Sequence, residues 1–256
     1  MANYDYFEDV PASELVRWAV EEYGQSLAIC TSFQKSGMVI LDMAARISTS
    51  IRVITLDTGR LPHATYEVMD TVRSHYGVQI EPLFPDPAEL GAMVKRFGAN
   101  LFYQSMSLRK LCCQIRKVRP LEKKLAEFRA WAVGLRRSQS EARAHVPKAE
   151  EVDGRLKLSP LADWSGAEVD LYIRRHGVPV HPLYARGYAS IGCAPCTREV
   201  DAGENERAGR WWWEEEADKE CGIHFTPSGG VVRGPDAPLY EILKATGSPH
   251  AEALSR

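Results

Sequence analysis

Long apolar runs are missing from this sequence: none approaches the roughly 20 residues that a membrane-spanning helix needs. The opening stretch, MANYDYFEDVPASELV, is acidic and lacks the basic-then-apolar order of a secretory leader. Surplus charge is missing too. With 32 Lys and Arg against 34 Asp and Glu, the formal net charge is −2, so nothing draws the whole chain to nucleic acid or to an anionic membrane. Neither a GxxxxGK[ST] phosphate loop nor an SGGxDS-type ATP turn occurs, and there is no internal repeat or low-complexity segment. These absences lead us to expect a soluble, cytoplasmic protein. Its 256 residues suffice for one well-buried core.

What is present alternates. Residues 26–33, SLAICTSF, read as a strand entering a polar turn, and 37–47, GMVILDMAARI, as a helix. A second strand, IRVITLD (51–57), precedes PHATYEVMDTVRSHYG, where Pro at the first helical position and a final Gly mark start and stop. VQIEPLF (78–84) and PAELGAMVKRFG (87–98) repeat the pattern. A basic helix over SLRKLCCQIRKVRPLEKKLAEF, a strand AWAVGL (130–135), and a candidate strand LKLSPL (156–161) follow. In SGAEVDLYIRRHG, Ser165 and Glu168 fit a capping box and Gly177 a C-cap. The order β-α-β-α-β predicts a parallel sheet covered by helices, with ligands met at the carboxyl ends of the strands. From Thr226 the chain is rich in Gly and Pro, with one short helix candidate, APLYEILKA.

In a reducing compartment, six cysteines read as metal ligands or redox groups rather than a disulfide framework. Two pairs stand out, Cys112-Cys113 and Cys193-Ala194-Pro195-Cys196. CysXXCys alone suits a zinc knuckle or a dithiol. The adjacent pair shifts the balance: neighbours on a helix point about 100° apart, which converges poorly on one tetrahedral ion but suits separate irons of a cubane. Arg109, Lys110, Arg116, Lys117 and Arg119 would offset the negative charge of such a cluster. Arg116 and Lys117 stand four residues beyond the two cysteines, on shared helix faces. The spacing favours iron–sulfur over zinc, with a solvated basic face as the plain alternative.

The turn TSFQKSG lies between a strand and a helix, where backbone N–H groups and the helix dipole suit a phosphate or sulfate. Arginines gather at Arg136 and Arg137, at Arg143, and at Arg207 and Arg210 in NERAGRWWWEEE. Guanidinium forks suit a doubly anionic mixed anhydride, although each one alone reads as a surface charge. The triple Trp211-Trp212-Trp213 reads as packing. A single thiol, Cys221, stands in KECGIH, and among its neighbours Glu214, Glu215, Glu216, Asp218 and Glu220 oppose a thiolate while Lys219 and His224 favour it.

In their order, TSF, LDTGRLP, LCCQIRKVRPL, GLRRSQSEAR, PLADWSGAEVDLYIRRHGVPVHPLY, GYASIGCAPCTRE, ERAGRWWWE and KECGIH make the chain resemble the assimilatory adenylylsulfate (APS) reductases, within the wider PAPS reductase family. The resemblance runs from about Ser26 to His224. It implies an adenine nucleotide alpha-hydrolase-like (PP-loop type) α/β domain over 1–225, a parallel sheet with helices on both faces, and a tail over 226–256. It also implies that Cys112, Cys113, Cys193 and Cys196 ligate one [4Fe–4S] cluster and that Cys221 is the nucleophile. Thr31, Ser32 and Leu56 would line the nucleotide site, with Gly134 near the adenosine. Lys117, Arg143, Arg207 and Arg210 would hold the phosphate–sulfate group, Lys117 lying between cluster and substrate, and His224 would sit close to the nucleophile. The implied substrate is APS, with PAPS as an additional substrate in the nearest alternative, and the implied reductant is thioredoxin. SFQKSG departs from the commoner SFSGAED turn, and the chain continues past the point where the family usually ends. A tRNA-modifying relative of the nucleotide alpha-hydrolases and a zinc-stabilised nucleotide module are the readings from other classes.

Overall fold

A computed structural model of the chain describes residues 4–214, 242 and 244–247. Their contacts group into two compact units. The first comprises Met1–Thr55, Arg60–Pro82 and Leu125–Trp212; the second comprises Leu56–Gly59, Leu83–Lys124 and Trp213–Arg256.

The first unit is built on a six-stranded sheet. Strands β1 (Leu27–Cys30), β2 (Arg52–Leu56), β3 (Ile80–Leu83), β4 (Ala130–Val133), β5 (Ala149–Val152) and β6 (Arg155–Leu158) lie in the order β3-β2-β1-β4-β6-β5. β1 pairs in parallel with β2 and β4, and β4 pairs in parallel with β6. LAIC and AWAV are nearly continuous apolar runs, as central parallel strands require because both their faces are covered. The expected parallel α/β sheet is therefore present, with one correction: β5 runs antiparallel to β6 at the edge. The hairpin between them turns at Asp153-Gly154, both with positive φ (51° and 73°), the combination a tight two-residue loop demands.

Helices α1 (Ala12–Tyr23), α2 (Lys35–Ala45), α3 (His63–Tyr76) and α7 (Gly166–His176) belong to this unit. Helix α1 was not among the elements expected from sequence; Leu15, Val16, Ala19 and Val20 form its buried stripe. Pro62 proves to be the N-cap of α3 rather than its first helical residue. Ser165 and Glu168 make the expected capping box, and Gly177 closes α7 in the left-handed conformation. Helix α2 is buried nearly all round, and at its centre Asp42 is fully buried. The Asp42 carboxylate accepts hydrogen bonds from Arg46 Nε (2.7 Å), Tyr172 Oη (2.8 Å) and Tyr76 Oη (3.0 Å), binding α2, α7 and α3 to one charge. Burial and that carboxylate push both phenol pKa values up, so both tyrosines remain donors.

The second unit contains α4 (Pro87–Phe97), α5 (Met106–Cys113) and α6 (Arg119–Leu125, whose last residue joins the first unit). Asp86 caps α4 through Ala88 and Glu89 N–H groups, with Pro87 at the first turn. The expected single basic helix is interrupted. Gln114–Val118 forms a π-helical turn between α5 and α6, beginning directly after Cys113. Such turns are rare and concentrate at functional sites. No helix among the described residues is long and apolar enough to cross a membrane.

Candidate functional site

In the first unit, the chain order reverses between β1 and β4, the switch point at which open α/β sheets hold ligands. The turn after β1 is tightly built. Thr31 N–H donates to Ile54 O, and Thr31 Oγ1 accepts from Phe33 N–H at 2.9 Å. Phe33 is fully buried at φ 57°, a strained conformation for a bulky side chain that the surrounding packing must enforce. Two glycines bring the segments together. A Cβ on Gly134, just beyond β4, would stand 2.6 Å from Gly37 N, and one on Gly37 would stand 2.7 Å from Thr31 Oγ1. Backbone of α2 and the carboxyl end of β4 can approach this closely only without side chains there.

Gln34 and Lys35, where this turn departs from the commoner form, are engaged by protein. Gln34 Nε2 donates to Ser32 Oγ (3.0 Å), and Gln34 Oε1 accepts from Ile191 N–H (2.8 Å), two residues before Cys193. Lys35 pairs with Asp170 (2.8 Å) and lies over the Tyr184 ring, while its N–H donates to Tyr184 Oη. Burial pushes the Tyr184 pKa up.

Cys193 caps the 3-10 turn Ala194–Cys196 and Cys196 ends it, and both are buried. Thr197 Oγ1 accepts from Gly192 N–H (3.1 Å) and donates to Cys193 O (3.0 Å), fixing the loop from within. Residues 196–198 pair with 209–211: Thr197 bridges Arg210, Arg198 N–H donates to Gly209 O, and Trp211 N–H donates to Cys196 O. The Arg210 guanidinium lies against Gly192, where a Cβ would meet it at 2.4 Å. Arg207 and Arg210 both approach the fully buried Trp211 ring (5.9 and 4.6 Å), so this tryptophan is packing between cations. Arg210 Nε is buried without a hydrogen-bond partner among the described residues. Buried Arg143 donates to Gln139 Oε1 (2.6 Å). His181 is buried against Thr65, and desolvation lowers its pKa. Its Nδ1 accepts from Leu183 N–H, which leaves Nε2 to donate to Thr65 Oγ1. By contrast, burial at the end of β1 pushes the Cys30 thiol far up, away from reactivity.

In the second unit, Cys112 and Cys113 end α5 and are buried, and Arg116 and Lys117 of the π turn are buried after them. Arg116 Nη1 donates to Thr58 O (2.5 Å), tying this turn to Leu56–Gly59, and Asp57 Oδ1 accepts from Gly59 N–H (2.8 Å). Arg116 Nε has no hydrogen-bond partner among the described residues. Arg109, fully buried, grips Glu214 with two bonds (2.7 and 3.0 Å), and Trp213 packs edge-on against Tyr103. Glu214, counted from sequence among the acidic neighbours of Cys221, is thus paired with Arg109. Among the described residues no three His, Cys, Asp or Glu side chains form a group able to hold a metal ion. Cys193 and Cys196 belong to the first unit, Cys112 and Cys113 to the second.

Residues 26–199 match the phosphoadenosine phosphosulfate reductase domain. The chain belongs to that family. Its curated relatives include an adenosine 5'-phosphosulfate reductase of Allochromatium vinosum, 45% identical over 218 residues, covering 84% of this chain and 85% of the relative. The protein of the same name from Burkholderia cepacia is 44% identical over 209 residues, covering 81% and 84%. Among solved structures, a phosphoadenylyl-sulfate (PAPS) reductase from Candida auris, in a phosphate complex, superposes with a TM-score of 0.64 at 27% identity, covering 78% of this chain and 98% of that one. The FMN adenylyltransferase of Candida glabrata shares the fold at 13% identity and a TM-score of 0.53, covering 91% and 80%.

Of the site residues expected from the sequence, Thr31, Ser32, Gly134, Arg143, Cys193, Cys196, Arg207 and Arg210 lie in the first unit, and Leu56, Cys112, Cys113 and Lys117 in the second. Cys221 and His224 lie outside the described residues. Gln34, which bonds Ser32, Gln139, which bonds Arg143, and Glu206, which pairs with Arg136, were not singled out from sequence. A polar residue beside a candidate turn is a weak signal by itself.

Proposed function

We propose that this chain reduces adenosine 5'-phosphosulfate to sulfite and AMP in the cytoplasm, with thioredoxin as electron donor and Cys221 as nucleophile. The observation that carries the reading is the 45% identity, over most of both chains, to a protein named for that activity. The buried guanidinium groups and the glycine-lined turn at the switch point of the sheet agree with a nucleotide bearing a dianionic group.

The Cys221 thiolate attacks the sulfate sulfur; an S–S bond forms and the S–O bond to AMP breaks, AMP leaving with the electron pair. The product on the enzyme is an S-sulfocysteine. A thioredoxin thiolate then attacks Cys221 sulfur, sulfite leaves with the bonding pair, and the second thioredoxin thiol resolves the mixed disulfide. One dithiol becomes a disulfide as sulfur(VI) becomes sulfur(IV). Arg143, Arg207, Arg210 and Lys117 neutralise the phosphosulfate and stabilise the departing AMP. Thr31, Ser32, Leu56 and Gly134 seat the nucleotide, and His224 accompanies the nucleophile. Four buried thiols fit a [4Fe–4S] cluster in donor type and burial, and Cys112, Cys113, Cys193 and Cys196 would hold it. When bound, that group supplies structural and electrostatic support rather than electrons. Residues 1–225 act as the catalytic domain and 226–256 as a tail.

Mass spectrometry after incubation with APS and no reductant tests the reading: one added SO₃ on Cys221 is expected, and none in Cys221→Ser. A Cys221→Ser variant that still releases sulfite would refute it. The likeness to a PAPS reductase favours one alternative, use of PAPS as well as APS. Sulfite release compared between the two substrates decides it.

A further inference from the structure

Arg136 uses all of its guanidinium nitrogens on protein. It is buried, at 4% exposure, yet each of its bonds reaches a different segment. Nε donates to Ser36 Oγ in the first turn of α2 (3.0 Å), Nη1 to Ser138 Oγ (2.7 Å), and Nη2 to Glu206 (3.0 Å). Its backbone is equally constrained. Arg136 N–H donates to Gln139 Oε1 (3.1 Å), the same oxygen that accepts from Arg143, and Gly134 two residues earlier is pressed against α2. A planar fork with a fixed root acts as a spacer, which a lysine ammonium on a flexible stem does not.

The partners explain what is spaced. Ser36 follows the turn that holds Thr31 and Ser32, and Glu206 immediately precedes Arg207 in the segment that ends at Arg210. Arg210, unlike Arg136, keeps a buried Nε without a hydrogen-bond partner among the described residues. The donors divide the labour: every guanidinium nitrogen of Arg136 already bonds to protein, whereas Arg210 Nε bonds to none of the described residues.

We propose that Arg136 is a positioning residue that, through Glu206, sets the distance between the turn after β1 and the Arg207–Arg210 segment, and so tunes affinity for the anionic part of the nucleotide. The inference rests on the reading of this cluster as the substrate site.

The test is equilibrium binding of AMP and of uncharged adenosine to the full-length protein and to Arg136→Lys, Glu206→Gln and the double variant. AMP affinity should fall about tenfold in Arg136→Lys, the size of one lost charge-assisted hydrogen bond, and less in Glu206→Gln, whose amide oxygen still accepts. Adenosine affinity should hold in both. The double variant should be no weaker than Arg136→Lys, because both changes cut one link. Glu206 is partly exposed, so its variant carries the test if Arg136→Lys does not fold. Unchanged AMP affinity, equal losses for AMP and adenosine, additive losses, or tighter AMP binding in Glu206→Gln would each overturn the proposal. Wild-type protein that binds neither ligand would instead overturn the functional reading beneath it.

Discussion

The two cysteine pairs are held by opposite means. Cys112 and Cys113 take their directions from the register of α5, and the π turn that follows resets that register at once. Cys193 and Cys196 sit on a loop with little regular structure, and side chains hold it: Thr197 from inside, Gln34 from the turn after β1, and Arg210 packed against Gly192. A helix-borne pair therefore depends on chain length and tolerates changes in neighbouring side chains. A loop-borne pair depends on a few polar contacts. Equivalent thiols can be delivered by backbone periodicity or by hydrogen bonding, and each route fails in its own way.

The sharpest test of that contrast removes the thiols themselves. With the proposed cluster on these thiols, Cys113→Ala and Cys193→Ala should each lose essentially all iron and acid-labile sulfide, measured per protein. Wild-type iron in either variant would break the equivalence of the pairs. Next in size is a change of length. Deleting Gln114 turns every later residue of the helix by about 100° relative to Cys112 and Cys113, so iron content should collapse. Gln114→Ala should leave it near wild type. Equal iron in both variants would show that register does not matter.

Single polar substitutions should divide the pairs more finely. Thr197→Val strips the Gly192 N–H of its acceptor inside the loop, and about 1–3 kcal/mol of stability should go, read from the denaturant midpoint. Ser105→Ala, which removes the N-cap of α5, should lose about 1 kcal/mol. A larger loss at Ser105 than at Thr197 would reverse the contrast. The smallest effect expected is that of pH. Desolvation holds the folded His181 pKa below its ordinary value. Its stabilising contribution is therefore fully present above about pH 6.5 and declines as pH falls below it, because the unfolded chain takes up the proton first. His181→Gln should flatten that part of the stability-versus-pH curve.

Much of the sheet could be read from local pattern, because central parallel strands are covered on both faces and LAIC and AWAV are nearly continuous apolar runs. The caps at Ser165 and Gly177 were equally legible, since capping is set by residues within a turn of the helix end. Strand β5 was not: AEEV has too few apolar residues, and only the Asp153-Gly154 turn betrays it. The π turn left no mark in the sequence; its buried bond from Arg116 reaches the Thr58 carbonyl, 58 residues away. The pairing of Glu214 with Arg109, 105 residues apart, was hidden from local charge counting. Residue types in order were enough to nominate Thr31, Gly134, Arg207 and Arg210. The bonds of Gln34 to Ile191 and of Glu206 to Arg136, which tie their segments together, are legible only once distant segments are side by side.

Asp42 shows what such a junction does mechanically. Because one fully enclosed carboxylate anchors three helices, a push on any of them must stretch bonds to a charge that no water can replace. The scaffold beneath the turn after β1 is thus a stiff mount rather than a spring, and an arriving ligand must shape itself to that turn.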